Sequence, residues 1–554
     1  MKQIKVIIFS YLIISIFATA FAQSQTNIKQ AEESINITNF TEHIKKLASD
    51  EFAGRAPSSP GEEKTIQYLK SEFEKLGWQP GNGDSFFQKV PLVKLTSTPD
   101  KSLEIKGTGR GASLAHGSNY VAVTRRMVDE VNVKNSELVF AGYGIVAPEY
   151  NWNDYAGLDV KGKTVVVMVN DPGFATGDSS LFTGKAMTYY GRWTYKYEEA
   201  ARQGAEGVFI IHDTPPAGYP WFVVQGGWTG PQFYMEAADK NASRCAVEGW
   251  ISTDGARHIF AHAGLNYDEL TKAAAKPGFK ARSFGLTYSL TLKNEIEHSV
   301  SNNVIALFPG TDHKDEYIIY SAHWDHFGIN PEMEGDNIFN GARDNATGTA
   351  ALIEIARAFS ELQPKPRRSI LMLAVTAEEQ GLLGSAYYAA NPIYPLNKTV
   401  AVLNMDALNI FGKMQDITVI GLGNSDLDDY VTEAAKAQNR YVRPDPEPNK
   451  GIFFRSDHFS FAKQGVPALY TKMGIDHVKK SKAEILEASQ DWTSRLYHKP
   501  DDEYDPDYWD LSGAVDDMRL LFRIGQKLSM EDHFPRWKEG SAFKAKREAD
   551  MGAE

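Results

Sequence analysis

Short apolar segments in the second half of the chain are each followed by charged side chains. Residues 317–320, 370–375 and 400–403 are almost entirely apolar, and such runs between polar residues predict buried β-strands. The apolar periodicity from 350 to 362 predicts a helix between the first two strands. Strands separated by helices favour an open α/β sheet, in which the strand ends border a crevice. We therefore expect the polar residues after these strands to share one edge of a sheet.

The first half of the chain has a different pattern. Residues 37–77 have the periodicity of two helices, and the second is expected to begin at the Ser-Ser-Pro-Gly sequence of residues 58–61. From about residue 101 the pattern changes to short strands, which predicts that one domain is inserted into another. The clearest predicted elements of the insert are strands at 137–145, 163–169 and 207–211 and a helix at 195–204.

The start of the chain predicts export. Its first residues are basic, residues 6–17 are mostly apolar, and an Ala-Phe-Ala sequence at 20–22 is typical of a signal-peptide cleavage site. We therefore expect a periplasmic or secreted protein, and no later stretch is apolar enough for a stable membrane anchor. Residues 23 to about 38 are polar and are expected to be disordered. The predicted segments are a signal peptide (1–22), an N-terminal helical part of the main domain (23–100), the inserted domain (101–290), the rest of the main domain (291–535) and a polar C-terminal tail (536–554).

Composition narrows the class of protein. The 554 residues are 42% hydrophobic, which is enough for two cores. The net charge of −12 disfavours nucleic acid or anionic membrane as partners. The sequence contains one cysteine, Cys245, so an internal disulfide is excluded. The oligomeric state is left open by these features. The basic stretch 538–547 is expected to be a solvated helix face.

Residues with metal-ligand chemistry follow the predicted strands and occupy two loops. They are His323, Asp325, Asp344, Glu378, Glu379, Asp406 and His498. Each has an ordinary alternative, such as a structural histidine, a helix N-cap, a glutamate at a helix N-terminus or a turn residue. Together, two histidines, two aspartates and one glutamate form a donor set suited to two zinc ions that share one carboxylate. The other glutamate of the adjacent pair can then handle the proton of a metal-bound water.

These stretches resemble peptidase family M28, the co-catalytic metallopeptidases that include bacterial aminopeptidases and relatives of glutamate carboxypeptidase. The matching sequences are SAHWDH (321–326), NGARDNATG (340–348), AVTAEEQGLLGS (374–385), VLNMDAL (402–408), FFRSDHFSFAKQGVPAL (453–469) and LYHKPDDEY (496–504), and residues 47–77 resemble the opening helices of the family. The resemblance implies a zinc-exopeptidase-like α/β fold with a mixed sheet flanked by helices. It implies two zinc ions bridged by Asp344, with His323 and Asp406 at one ion and Glu379 and His498 at the other. Glu378 would be the general base.

The resemblance also implies an activity. We expect an exported di-zinc aminopeptidase that hydrolyses N-terminal residues from peptides. A glutamate-carboxypeptidase-like metallocarboxypeptidase is the main alternative, and it would need a cationic pocket to which Arg343, Arg455 or Lys472 could contribute. A non-catalytic receptor-like relative and a one-zinc cyclase of N-terminal glutamine are further alternatives. The complete ligand set disfavours both of them.

Several residues next to the ligands have expected roles. Asp325 lies two residues after His323, so on an extended strand both side chains project to one face, and the Asp325 carboxylate can accept the second imidazole N–H. Arg343 is expected to alter the charge near the substrate path. Asp457 and His458 would lie beside the specificity pocket, where they contact substrate, support the ligands or have a purely structural role.

The insert at 101–290 resembles the protease-associated domain that some members of the family carry. It is expected to be smaller and β-rich, and to supply no metal ligand. Its aromatic sequences at 189–195 and 221–228 either contact peptide side chains or pack the domain.

Overall fold

The computed structural model describes residues 26–107 and 111–552, which form two compact units. The first unit comprises the described residues up to Val90, together with Val300–Asp445 and the described residues from Ser456 onward. The second comprises Pro91–Ser299, apart from residues 108–110, and Pro446–Arg455. The predicted signal peptide (1–22) lies outside the described residues. Among the described helices, none has the length and apolar character that a membrane span requires.

A mixed β-sheet forms the centre of the first unit. Its middle strand, His313–His323, is parallel to both of its neighbours, Arg368–Val375 and Thr399–Asn404. The three strands predicted from apolar runs therefore lie side by side and end at the same edge. In spatial order the strands are Gln79–Pro80, the last part of Arg282–Phe308, Arg368–Val375, His313–His323, Thr399–Asn404, Ala468–Met473, Asp416–Ile420 and Tyr441–Pro444.

Helices flank this sheet, which confirms the predicted mixed α/β architecture. Thr347–Glu361 corresponds to the helix predicted at 350–362 and ends one residue earlier than expected. It is buried along most of its length, because its side chains are small or apolar on nearly every face. The second N-terminal helix begins at Pro60, where the Ser59 hydroxyl accepts the N–H groups of Gly61 and Glu62 as an N-cap. The α-helices of this unit with assigned bounds are Ile37–Leu47, Pro60–Lys75, Thr347–Glu361, Leu383–Ala390, Leu427–Ala437, His458–Lys463, Lys482–Arg495, Ser512–Met530 and Lys544–Met551.

Both ends of the described chain are more ordered than the sequence suggests. Residues 26–34 are helical rather than disordered, and Ala31 and Ile35 are buried in the core of the first unit. The prediction that residues 538–547 form a solvated helix face is also partly wrong. Arg547 is buried and donates to the backbone carbonyls of Leu396 and Thr399. Polar composition did not predict these contacts, because a few apolar or long side chains are enough to dock a short helix.

The second unit is rich in β-strands and contains its own hydrophobic core. Its strand Glu130–Phe140 ends before the predicted limit of 145, because Gly142 and Gly144 turn the chain with φ of 57° and 63°. Trp228 packs edge-on against the ring of Trp193, as expected for the packing alternative. That the unit is a protease-associated domain stays a prediction. Its strands are Ser102–Lys106, Ala112–Ala115, Tyr120–Val123, Glu130–Phe140, Val146–Ala147, Trp152–Asn153, Thr164–Met168, Gly207–His212, Pro231–Met235 and Val247–Ser252, with parts of Phe87–Pro99 and Arg282–Phe308, and its α-helices are Pro172–Thr176, Trp193–Arg202, Thr214–Ala217, Trp221–Gly227, Thr253–His262 and Tyr267–Ala274.

Candidate metal centre

Three parallel strands bring the predicted ligands to one edge of the sheet in the first unit. His323 is the last residue of the middle strand and pairs in register with Val375. Glu378 and Glu379 follow Val375 by three and four residues, and Asp406 follows Asn404 by two. Because parallel strands end together, residues far apart in sequence meet at this edge.

One cluster of side chains surrounds the Nε2 atom of His323. This nitrogen lies 3.2 Å from Asp344 Oδ1 and 3.8 Å from Asp406 Oδ1. Glu378 Oε2 lies 4.0 Å from the same nitrogen. One imidazole nitrogen and two carboxylates from separate loops are thus close enough to share a cation.

A second cluster lies on the other side of Asp344. The Nε2 atom of His498 is 3.3 Å from Asp344 Oδ2 and 3.1 Å from Glu379 Oε2. It faces both carboxylates closely, yet it makes no hydrogen bond of acceptable geometry and is buried. A nitrogen aimed between two carboxylates without bonding to either is the arrangement expected of ligands around a shared metal ion. The donors therefore suit a bound metal cation, and the two oxygens of Asp344 face different histidines.

The electrostatics of the site point to the same conclusion. Burial raises the pKa of Glu378 well above its usual range, and the neighbouring carboxylates of Asp457, Glu379 and Asp406 raise it further. Burial also raises the pKa of Asp325 and of Asp457 to about 7. Several carboxyl groups in so small a buried volume need cations to be ionised together.

Asp344 precedes a helix but does not cap it. It lies in the short irregular turn Ala342–Ala346, with φ of −110° and ψ of 92°, and its peptide bond to Asn345 is cis. The following helix begins at Thr347 and has no side-chain cap, so the N-cap alternative for Asp344 does not apply. Burial raises the pKa of Asp344, but the adjacent imidazoles of His323 and His498 outweigh it and hold the pKa well below the usual range.

The predicted hydrogen bond between His323 and the Asp325 carboxylate is wrong in its acceptor. His323 Nδ1 lies 3.2 Å from the backbone carbonyl oxygen of Asp325 and 3.8 Å from its carboxylate. The carboxylate instead accepts the backbone N–H groups of Glu378 and Glu379, at 3.0 and 3.4 Å. The strand ends at His323, so the alternation of side chains along a strand no longer applies at Asp325. The Asp325 carboxylate therefore orients Glu378 and Glu379 through the backbone N–H groups of these two residues.

Arg343 is buried among aromatic rings, and its expected effect on the charge near the substrate path stays a prediction. Its guanidinium lies over the rings of Trp492 and Phe411, at 4.2 and 5.1 Å, and its Nε donates to the carbonyl of Leu408. The side chain is buried, and burial lowers its pKa to about 10. Arg343, one of the cations considered for a carboxylate pocket, thus packs against aromatic rings.

Asp457 and His458 belong to the first unit and are both fully buried. The ring of His458 lies 4.8 Å from that of Tyr470, and the Tyr470 hydroxyl donates to Asp406 at 3.3 Å. These residues therefore surround the site on the side of Asp406. Whether either contacts substrate stays a prediction.

Three supporting residues were not identified from sequence. The Nδ1 atom of His326 lies 2.6 Å from Glu379 Oε1, within hydrogen-bond distance. The Asp502 carboxylate accepts the backbone N–H groups of Arg343 and Asp344. The buried guanidinium of Arg55 donates to four backbone carbonyls. All three lie in motifs that carry the family resemblance, and each is a charged or titratable residue in a short polar loop. That pattern marks them as notable but does not show what they contact.

Comparisons with known proteins found a family match and partial sequence relatives. Residues 303–522 match the sequence profile described as "Peptidase family M28". "Aminopeptidase NAALADL1" of Mus musculus is 35% identical over 138 residues, which are 24% of this chain and 17% of that protein. "Probable glutamate carboxypeptidase AMP1" of Arabidopsis thaliana is 31% identical over 134 residues, again 24% of this chain and 17% of that protein. The matched segment thus spans about a sixth of the length of these relatives.

Solved structures of similar length were also found. "Aminopeptidase from Aneurinibacillus sp. strain AM-1" aligns with a TM-score of 0.49 and 20% identity, covering 92% of this chain and 97% of the other. A "Peptidase M28 precursor" from Shewanella amazonensis aligns with a TM-score of 0.43 and 17% identity, covering 93% and 99%. The segment 303–522, which matches peptidase family M28, contains all seven candidate site residues.

Proposed function

We propose that this chain is a di-zinc exopeptidase that removes N-terminal residues from peptides. The observation that carries the proposal is the position of Asp344 between two histidines, with Oδ1 3.2 Å from His323 Nε2 and Oδ2 3.3 Å from His498 Nε2. Asp406 would complete the first zinc site and Glu379 the second. The signal-peptide pattern at 1–22 supports action outside the cytoplasm.

The chemistry follows from the roles that the residues can take. Two zinc ions bound here would lower the pKa of a shared water and polarise the scissile carbonyl. Glu378 belongs to neither ligand set, and its carboxylate lies 4.0 Å from the His323 imidazole. It therefore acts as the general base that accepts the proton of the water and later delivers it to the leaving amine. Asp325 holds the glutamate pair in place through the backbone of both residues.

The N-terminal end of the peptide is favoured by the charges at the site. One side of the site carries the carboxyl groups of Asp406, Glu378 and Asp457. These groups suit a substrate ammonium group better than a substrate carboxylate. Arg343, the buried cation nearest in sequence to a ligand, is enclosed by aromatic rings. The name of the relative "Aminopeptidase NAALADL1" gives this choice further support.

A peptide with blocked ends tests the proposal. Zinc-loaded protein is incubated with one peptide in free, N-acetylated and C-amidated forms, and products are read by mass spectrometry. We expect stepwise loss from the N-terminus of the free and amidated forms and no cleavage of the acetylated form. The variant Glu378→Gln serves as the control for contaminating peptidases. Trimming of the acetylated peptide from its C-terminus would instead indicate the carboxypeptidase alternative.

A further inference from the structure

His326 lies against a predicted metal ligand but is not part of the predicted ligand set. Its Nδ1 atom is 2.6 Å from Glu379 Oε1, and its side chain is fully buried. The other carboxylate oxygen of Glu379, Oε2, lies 3.1 Å from His498 Nε2. The glutamate is therefore held between two histidines, with a different oxygen directed to each.

The two histidines are not equivalent. His498 Nε2 is also 3.3 Å from Asp344, so it lies where three ligands converge. His326 uses Nδ1 for the glutamate, and its buried Nε2 has no hydrogen-bond partner. A buried N–H without an acceptor is less tolerable than a buried lone pair, so the proton belongs on Nδ1. His326 then donates to Glu379 and has no lone pair on that nitrogen for a metal ion.

The surroundings of His326 fix the orientation of its ring. Its backbone N–H donates to the carbonyl of Arg55 at 3.2 Å, and the ring packs edge-on against Phe327. Gly341 lies directly beside it, and a Cβ at that position would come within 2.6 Å of the imidazole. The φ of Gly341 is +52°, so both the space and the backbone conformation favour glycine there. A ring held on several sides is suited to setting the direction of a single hydrogen bond.

We propose that His326 is a positioning residue for Glu379. Its Nδ1–H group holds Oε1, so that Oε2 is presented to the zinc site formed with Asp344 and His498. Ligating carboxylates depend on such outer hydrogen bonds for their orientation, and loss of one lowers metal affinity by about 10- to 100-fold. The inference rests on the proposed function, because it requires metal at this site.

Three substitutions of His326 separate this role from simple packing. Apoprotein is titrated with zinc against a competing chelator, and the thermal stability of the apoprotein is measured in parallel. His326→Phe keeps the ring and removes the donor, so one of the two zinc equivalents should bind about 10- to 100-fold more weakly. His326→Asn places an amide nitrogen close to the position of Nδ1 and should restore most of the affinity. His326→Gln mimics Nε2 instead and should behave like His326→Phe.

His43→Phe is a matched control in the same unit. His43 is also buried and uses Nδ1 in a 2.7 Å hydrogen bond, in this case with the Tyr68 hydroxyl. We expect this variant to lose stability without losing zinc affinity.

The inference is overturned if His326→Phe binds both zinc equivalents as tightly as wild type. It is also overturned if His326→Asn and His326→Gln are equally impaired, since that result indicates packing alone. Retention of both ions by His498→Ala would assign the ligand role to His326 and overturn the inference in another way. Wild-type apoprotein that takes up fewer than two equivalents would contradict the proposed function, and this inference with it.

Discussion

The carboxylate of Asp502 accepts the backbone N–H of Asp344 at 3.0 Å. Asp502 lies four residues after His498, so the loop that contributes this histidine also supports the aspartate between the two clusters. The same carboxylate also accepts the backbone N–H of Arg343 at 3.2 Å, which restrains the preceding residue. One loop near the end of the domain thus sets the position of two proposed ligands.

The variant Asp502→Ala tests this support. It removes the acceptor of both N–H groups, so the turn that holds Asp344 is free to move and zinc affinity should fall by about 10- to 100-fold. Asp502→Asn keeps one carbonyl oxygen as acceptor and should lose less. Zinc affinity is measured by chelator competition. Equal affinity in Asp502→Ala and wild type would show that the loop holds Asp344 by other contacts.

The variant Asp344→Asn tests the bridging role. Asn retains the shape of the side chain but removes the charge that both clusters share, so both zinc equivalents and nearly all activity should be lost together. Elemental analysis of the purified variant provides the measurement. Retention of two equivalents in an active variant would rule out the bridge.

The two adjacent glutamates should give opposite phenotypes. Glu378→Gln removes the proposed base, so kcat should fall on the order of a hundredfold or more while zinc content stays near wild type. Glu379→Gln removes a proposed ligand and should reduce zinc occupancy. Measurements of kcat and metal content on both variants decide which glutamate is the base and which is the ligand. If the phenotypes are exchanged, the base and the ligand are exchanged as well.

Arg55 should affect metal binding as well as folding. Its guanidinium donates to the carbonyls of Leu47, Trp324, Asn340 and Gly341, and so ties the N-terminal segment to the loops before and after the site. In Arg55→Met these buried carbonyls lose their donors, which should lower the free energy of unfolding by about 3 kcal/mol or more. Zinc affinity should fall too, because Trp324 and Gly341 flank the loops of His323 and Asp344.

The matched control for this variant is Arg547→Met. Arg547 is likewise buried and donates to two backbone carbonyls, those of Leu396 and Thr399. It should lose stability in urea unfolding but keep its zinc affinity. A loss of zinc affinity in both variants to the same extent would mean that Arg55 acts only through global stability.

Cys245 should be unreactive in the native protein. It is fully buried, and burial raises the pKa of its thiol to about 12, so the reactive thiolate is scarce at any pH well below that value. At pH 8 a thiol reagent should label almost none of the native protein and one equivalent after denaturation in urea. Rapid labelling of the native protein would show that this part of the second unit opens readily.

Local signals explain which parts of the site could be predicted. The apolar runs before His323, Glu378 and Asp406 predicted strands, and parallel strands necessarily end at a common edge. The side-chain partners of Asp325 could not be predicted this way. Its carboxylate bonds to backbone groups 53 and 54 residues away, in a loop whose path depends on the whole sheet.

The sequence by itself determined the class of the fold, the strands that precede the proposed ligands, the donor types and the resemblance of residues 303–522 to a metallopeptidase family. These properties depend on periodicity and residue chemistry, which are local. Only the tertiary structure decided that Arg343 is enclosed by Trp492 and Phe411 and that His326 holds Glu379. Such contacts join residues tens to more than a hundred positions apart, and their geometry is set by the packing of loops on the sheet. No pattern along the chain encodes it directly.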